Sequence, residues 1–325
     1  MRIGVAGVGR IGTMHAANLA ALAQVDEVLL YDPAPGRAAL AATLPATRAV
    51  RDLAELLAGS DGVLVATPTT THPELVRACL AEGTPVLCEK PIAAGLAAMA
   101  ELVDDIETAG VPVLVGFQRR FDPAMAALRL RIEAGELGAI YHVRATGFDA
   151  QPPDLSYLPS SGGIFRDLLI HDLDAVPWLV GEQVVEVYAS GSVLVDEAFA
   201  AADDVDNAVV LLRFAGGAHA VLTGGRHDPL GYDHRVEVLG ARDSVAIGLD
   251  ERTPLAGAPD AYSGFPDRFR HAYRNEVRVF ADVVAGLAEN PSPARDSLVS
   301  LVLADACEQS RRTGEPVRTL QWSTA

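Results

Sequence analysis

Lysine is almost missing from this chain. Of its 26 basic residues, Lys90 is the one lysine, and the other 25 are arginine. Surface charge is met with guanidinium groups, and a compact ammonium is kept at a single place. Basic charge is itself scarce. The 43 acidic residues outweigh the 26 basic ones to give a formal net charge of −17. Nucleic acid as a partner is excluded, because its phosphates need a basic face, and an anionic membrane surface is disfavoured in the same way. Cysteine is sparse too. Cys79, Cys88 and Cys307 have neither metal-ligand spacing nor the count of a disulfide framework. No metal is expected, and a reducing cytoplasm is. No apolar run is long enough to span a membrane. No charged region, apolar stretch and cleavage site of a signal peptide precede the first strand, and no internal repeat is found.

What is present is apolar mass and punctuation. Half of the 325 residues are apolar, with 29 Gly and 20 Pro, as in a well-packed globular protein of one large or two ordinary domains. Arg2–Ala6 reads as a short strand running into Gly7-Val8-Gly9-Arg10-Ile11-Gly12, and a helical pattern follows over Thr13–Ala23. This is G-x-G-x-x-G in strand–turn–helix context. Gly7 permits the tight turn, Gly9 lets a pyrophosphate approach the backbone, and Gly12 lets helix and strand pack closely. Arg10 and Ile11 fill the positions between. A second strand, Glu27–Tyr31, ends at Asp32, about 20 residues past the last glycine, where a ribose-binding acid is expected. An acid there accepts from a 2′-hydroxyl and repels a 2′-phosphate, so NAD is expected rather than NADP. Arg37 stands nearby and softens that preference.

Two more strand signals, Gly62–Ala66 and Pro85–Cys88, each follow a helical segment, which indicates a parallel sheet. Ligands of such sheets lie at the carboxyl ends of the strands. Thr67, His72, Glu89 and Lys90 stand at such ends and are candidates for the cofactor region, although His72 precedes a proline and suits a helix start as well. A strand at Val111–Phe117 completes the sheet. The division falls after Gln118, giving a dinucleotide-binding domain over 1–118 and a second domain over 119–325.

The pattern then changes. Gly162-Gly163 opens an apolar stretch, expected as one helix to about Val180, that carries Asp167 and His171. At i and i+4 they share one helix face. A carboxylate that orients an imidazole is the arrangement of general-base catalysis. Strand signals at Val184–Val193, Asn207–Phe214, Ala218–Thr223, Arg235–Leu239 and Ser244–Leu249 predict an open, mostly antiparallel sheet. Its second face is available to another subunit, so a homo-oligomer is expected. A last helix, Arg295–Thr313, is expected to be structural and to pack back on the first domain. Tyr232, between two strands, and Tyr273, on a long helix, are candidates for contacting a polyol.

The glycine fingerprint, Glu89-Lys90-Pro91, Val115-Gly116-Phe117-Gln118-Arg119-Arg120-Phe121-Asp122 and Gly162-Gly163…Asp167…His171 together resemble the glucose–fructose oxidoreductase/inositol dehydrogenase/rhizopine catabolism (Gfo/Idh/MocA) family over nearly the whole chain. Within it the chain is most similar to bacterial inositol 2-dehydrogenases. The resemblance implies a Rossmann domain followed by an α/β domain with a large open sheet, a homo-oligomer (dimer or tetramer) formed through that sheet, and hydride transfer to NAD from a cyclic polyol such as myo-inositol. It implies catalytic roles for Lys90, Asp167 and His171, and substrate contacts from those three with Gln118, Arg119, Tyr232 and Tyr273. Gln118 departs from the Met of some inositol enzymes, which bears on polyol discrimination. Either Lys90 or His171 is a candidate for the proton acceptor. Two other readings are a dehydrogenase for scyllo-inositol or another sugar, and a nicotinamide-binding regulator without turnover. The latter would need only the first domain's glycines.

Overall fold

Short apolar strands alternate with helices through the first 122 residues, and in the computed structural model they close into a parallel sheet. The structure describes residues 1–34, 36–255, 258 and 260–319. The strands are β1 (Arg2–Ala6), β2 (Glu27–Tyr31), β3 (Thr47–Ala49), β4 (Gly62–Val65), β5 (Val86–Glu89) and β6 (Val113–Gly116). Their order is β3-β2-β1-β4-β5-β6, and every pairing is parallel. In this doubly wound order the winding reverses beside β1, which opens a crevice at the strands' carboxyl ends. All four residues of β4 and of β6 are buried, as expected of strands covered on both faces.

The first helix, Arg10–Ala20, begins earlier than the predicted Thr13, because extended Gly9 caps it and Gly12 falls in its first turn. Residues His271–Leu298 belong to the same compact unit as Met1–Asp122. A Cβ on Gly62 would lie 2.5 Å from Val284 Cγ2 and 3.1 Å from Phe280 Cζ. Only glycine lets that returning segment sit so close. Val277, Phe280 and Ala281 share one core with Ile3, Val5, Leu64 and Leu114.

The second unit comprises Pro123–Arg270 and the chain from Val299. Its strands are β7 (Ile140–Phe148), β8 (Val184–Ser192), β9 (Asn207–Phe214), β10 (His219–Gly225), β11 (Asp233–Gly240), β12 (Ser244–Ile247) and β13 (Val317–Arg318). They are ordered β12-β11-β7-β10-β9-β8-β13. The pairing of β7 with β10 is parallel and the others are antiparallel, so the mostly antiparallel sheet holds. One face packs Val187, Val210, Leu212 and Val236 against Leu169, Leu173, Val176 and Leu179. Leu303, Ala304 and Cys307 of the helix Ala294–Thr313 also lie in this core. The segment that rejoins the first unit is therefore 271–298.

The other face of the sheet is not all polar. Tyr188, Leu211 and Val221 are 40%, 41% and 39% exposed and sit side by side across β8, β9 and β10. Arg144, in register beside Val221, pairs with Glu237 at 3.2 Å. Among the described residues no helix is long and apolar enough to cross a membrane, and no cluster of His, Cys, Asp or Glu is built to hold a metal.

Candidate active site

In the first unit the glycine loop follows β1 directly. Gly7 has φ +89°, and a Cβ there would lie 2.7 Å from the Ala66 carbonyl oxygen. At Gly12 a Cβ would fall 1.9 Å from the Gly7 carbonyl oxygen, so the helix rests on the turn itself. Gly9 is different, since a Cβ there would meet nothing within 4 Å. Its backbone faces open space at a helix N-terminus, the arrangement that takes a phosphate. Asp32, at the end of β2, is locked toward this loop. Its Oδ2 accepts from the Val8 N–H at 3.0 Å and its Oδ1 from the Ala34 N–H at 2.9 Å. Arg37 lies 3.7 Å from it and is itself half exposed. These features fit a pyridine dinucleotide with an unphosphorylated ribose. Arg10 and Ile11 open the helix, with Arg10 exposed.

The ends of β4 and β5 are tied together by His72. The ring is 1% exposed, with Nε2 2.8 Å from the Thr67 carbonyl oxygen and Nδ1 2.9 Å from that of Pro91. His72, a candidate for the cofactor region that also suits a helix start, thus has both ring nitrogens facing backbone carbonyls. It fixes two loops. Thr67 Oγ1 accepts from the Thr71 hydroxyl at 2.7 Å. Glu89, the last residue of β5, places Oε1 2.8 Å from His15 Nε2. The space beside Glu89 depends on Gly116, where a Cβ would lie 3.2 Å from Glu89 Oε2. Lys90 follows, half-buried, at a cis bond to Pro91. Gln118 and Arg119 are 3% and 1% exposed, in a single short turn after β6. Tyr273 is buried and meets the His15 ring edge-on at 5.7 Å. The glycine loop, Asp32, Thr67, Glu89 and Lys90 thus share the carboxyl edge of one sheet.

In the second unit the single predicted helix is two, Ile164–Asp167 and Ile170–Val180. The Leu169 N–H reaches back to the Ile164 carbonyl and the Asp172 N–H to that of Leu169, so the ladder slips between them. Asp167 ends one helix and His171 is the second residue of the next; they are not one turn apart on a common helix. The Asp167 carboxylate has two partners that sequence spacing does not reveal. Arg226 Nη1 is 2.9 Å from Oδ2, and the Tyr157 hydroxyl donates to Oδ1 at 3.1 Å. Asp149 adds a second carboxylate 3.5 Å from Arg226 Nη1. Burial alone would push the Arg226 guanidinium down, but Asp167 and Asp149 outweigh it and hold it above its ordinary value. Tyr232 is 3% exposed and sits edge-on to Phe269 at 6.2 Å. Beside His171, Asp172 lies 3.6 Å from His234, both 1% exposed.

Sequence reasoning did not single out Arg226, Asp149 or His15. Arg226 follows the Gly224-Gly225 end of β10, and its carboxylate partners come from distant segments, so no local spacing links them. A parallel sheet with a phosphate-ready glycine turn, an acid at the end of β2 and a lysine at a strand end defines a nucleotide-dependent oxidoreductase of the Rossmann class. Residues 1–117 match the model described as oxidoreductase family, NAD-binding Rossmann fold, and residues 125–246 match the GFO/IDH/MocA C-terminal domain. The chain belongs to the Gfo/Idh/MocA oxidoreductase family, and its first unit is an NAD-binding domain. It is 41% identical over 321 residues to myo-inositol dehydrogenase Hyg17 of Streptomyces leeuwenhoekii, covering 97% of this chain and 98% of that one. It is 33% identical to an NAD-dependent scyllo-inositol 2-dehydrogenase of Bacillus subtilis, covering 98% and 96%. Among solved structures, a putative myo-inositol dehydrogenase from Sinorhizobium meliloti 1021 superposes with a TM-score of 0.91 at 33% identity, covering 98% and 99%.

Proposed function

We propose that the protein is an NAD-dependent dehydrogenase of a cyclic polyol, with myo-inositol as substrate and 2-keto-myo-inositol as product. The observation that carries this reading is the 41% identity to Hyg17 across nearly the full length of both chains. The bound nicotinamide supplies the hydride acceptor for the C–H bond at the reacting carbon. The chain's own residues handle the proton and the charge. His171 takes the hydroxyl proton as the carbinol becomes a ketone. Asp167, kept in place by Arg226 and the Tyr157 hydroxyl, supports the imidazolium that results. Lys90 donates to the same oxygen and stabilises the negative charge that develops there. Gln118, Arg119, Tyr232 and Tyr273 contact the ring hydroxyls. Asp32, anchored by the Val8 N–H, selects NAD over NADP.

Similarity to the B. subtilis scyllo-inositol enzyme supports one alternative substrate, an isomer of the same ring. Initial rates of reduced nicotinamide formation with NAD, and separately NADP, across myo-inositol, scyllo-inositol and glucose test both readings. A clear preference for myo-inositol with NAD is expected. A preference for scyllo-inositol would select the alternative, and no turnover on any polyol would remove the enzyme reading. We also assign a homo-oligomer in the cytoplasm. The exposed Tyr188–Leu211–Val221 row, continuous with Arg144 and Glu237, supports contact with a second copy through the outer sheet face, and a monomer by sedimentation would overturn it. The three free cysteines, all buried, suit a reducing compartment.

A further inference from the structure

One acid in the first unit has no use in the reaction just described. Glu276 lies on the helix Arg270–Val284, and its side chain is wholly buried, at 0% exposure. Neither of its carboxyl oxygens has a hydrogen-bond partner among the described residues. Its neighbours form a small polar cluster in an otherwise apolar core. Tyr273, one turn earlier on the same helix, meets the His15 ring. His15 Nε2 lies 2.8 Å from Glu89 Oε1, and His15 Nδ1 has no hydrogen-bond partner among the described residues. The charged group that acts on Glu276 is Glu89, at the end of β5. Arg274 and Arg278, on its own helix, are exposed, and Arg278 pairs with Asp282 at 2.9 Å.

A carboxylate with no cation and no N–H donor does not survive full burial; it takes up a proton instead. We propose that Glu276 is a proton-holding positioning residue, a neutral carboxylic acid that adds no negative charge beside Glu89, the residue immediately before Lys90. The proposal deepens the reading above and rests on it for the role of Lys90. A second charge beside Glu89 would repel it, disturb the His15–Glu89 bond and shift the strand end from which Lys90 is presented. Burial first, and the nearby Glu89 second, hold the Glu276 carboxyl well above the ordinary carboxylate range. Its effect on stability has a definite sign. The proton is bound more tightly in the folded chain than in the unfolded one. The contribution is therefore complete at pH values below the ordinary carboxylate range. It is lost as pH rises through the raised value.

The test compares the wild-type chain with Glu276→Gln, which keeps the shape and removes the titration. Thermal unfolding of both is followed from pH 4 to 9 without ligand. Glu276→Gln is expected to match wild type at the acid end and to gain on it by roughly 2–4 °C per pH unit above that. Parallel curves would overturn the buried neutral acid. The second arm uses the solitary lysine. Reductive methylation with labelled formaldehyde gives one lysine methyl resonance, from Lys90, distinct from that of the N-terminal amine. Its titration in wild type is expected to carry an additional step that is absent in Glu276→Gln. Identical titrations would overturn the link to Lys90. Neither arm needs a substrate, so failure of the polyol assay and failure of this proposal remain separate results.

Discussion

The two units bury carboxyl groups by opposite means. In the second, Asp167 is given a guanidinium at 2.9 Å and a phenol hydroxyl at 3.1 Å. In the first, Glu276 is given neither and lies deeper. An acid that must remain charged needs partners brought from other segments, here Arg226 after β10 and Tyr157 from the loop before Gly162. An acid meant to remain protonated needs only apolar walls and the absence of a cation. On the proposed roles the chemistry divides in the same way: a charged carboxylate supports an imidazolium while a neutral acid limits the charge around it.

That contrast can be broken in order of effect. Asp167→Asn removes the charge and keeps the shape, and turnover is expected to fall roughly 10³-fold with nucleotide binding retained; steady-state rates and fluorescence titration with NADH check both. Arg226→Leu leaves Asp167 and Asp149 without their shared cation. Breaking one side of a buried ion pair costs about 3 kcal/mol, to be read in denaturant unfolding. A second substitution, Asp149→Asn, is expected to recover part of that loss. Glu276→Gln, by contrast, is expected to stabilise the chain at alkaline pH. If Arg226→Leu and Glu276→Gln change stability in the same direction at pH 8, the two environments are not opposites. Tyr157→Phe is the mildest change. It deletes one hydrogen bond to a carboxylate that retains Arg226, worth about 1 kcal/mol, or roughly a fivefold loss of turnover.

Much of this was legible in the chain. The strand–glycine–helix turn, Asp32 and the parallel sheet follow from local patterns, because each depends on residues close in sequence. The charge around Asp167 was not, since Arg226 and Asp149 reach it through the fold and no periodicity joins them. The break at Leu168–Leu169 was hidden for another reason: both residues are apolar and helix-compatible, and only the slipped backbone bonds divide the helix. His72 was open to two readings, because a histidine at a strand end suits both a ligand and a helix start, and both of its nitrogens face carbonyls. Glu276 was invisible, being one more acid in an acidic chain until its burial is known.

The NAD-binding unit is assembled from two pieces of chain, Met1–Asp122 and His271–Leu298, and Phe280 fills space that Gly62 leaves beside β4. During synthesis the N-terminal piece leaves the ribosome long before its missing wedge is made. The unit cannot close its core until more than four-fifths of the polypeptide has been translated. The intervening second unit, whose large sheet draws on Ile140–Gly240, has nearly all its strands available first. Nascent chains halted before residue 271 should therefore expose the apolar surface around Ile3, Leu64 and Leu114 to chaperones and proteases, and those halted beyond residue 298 should protect it.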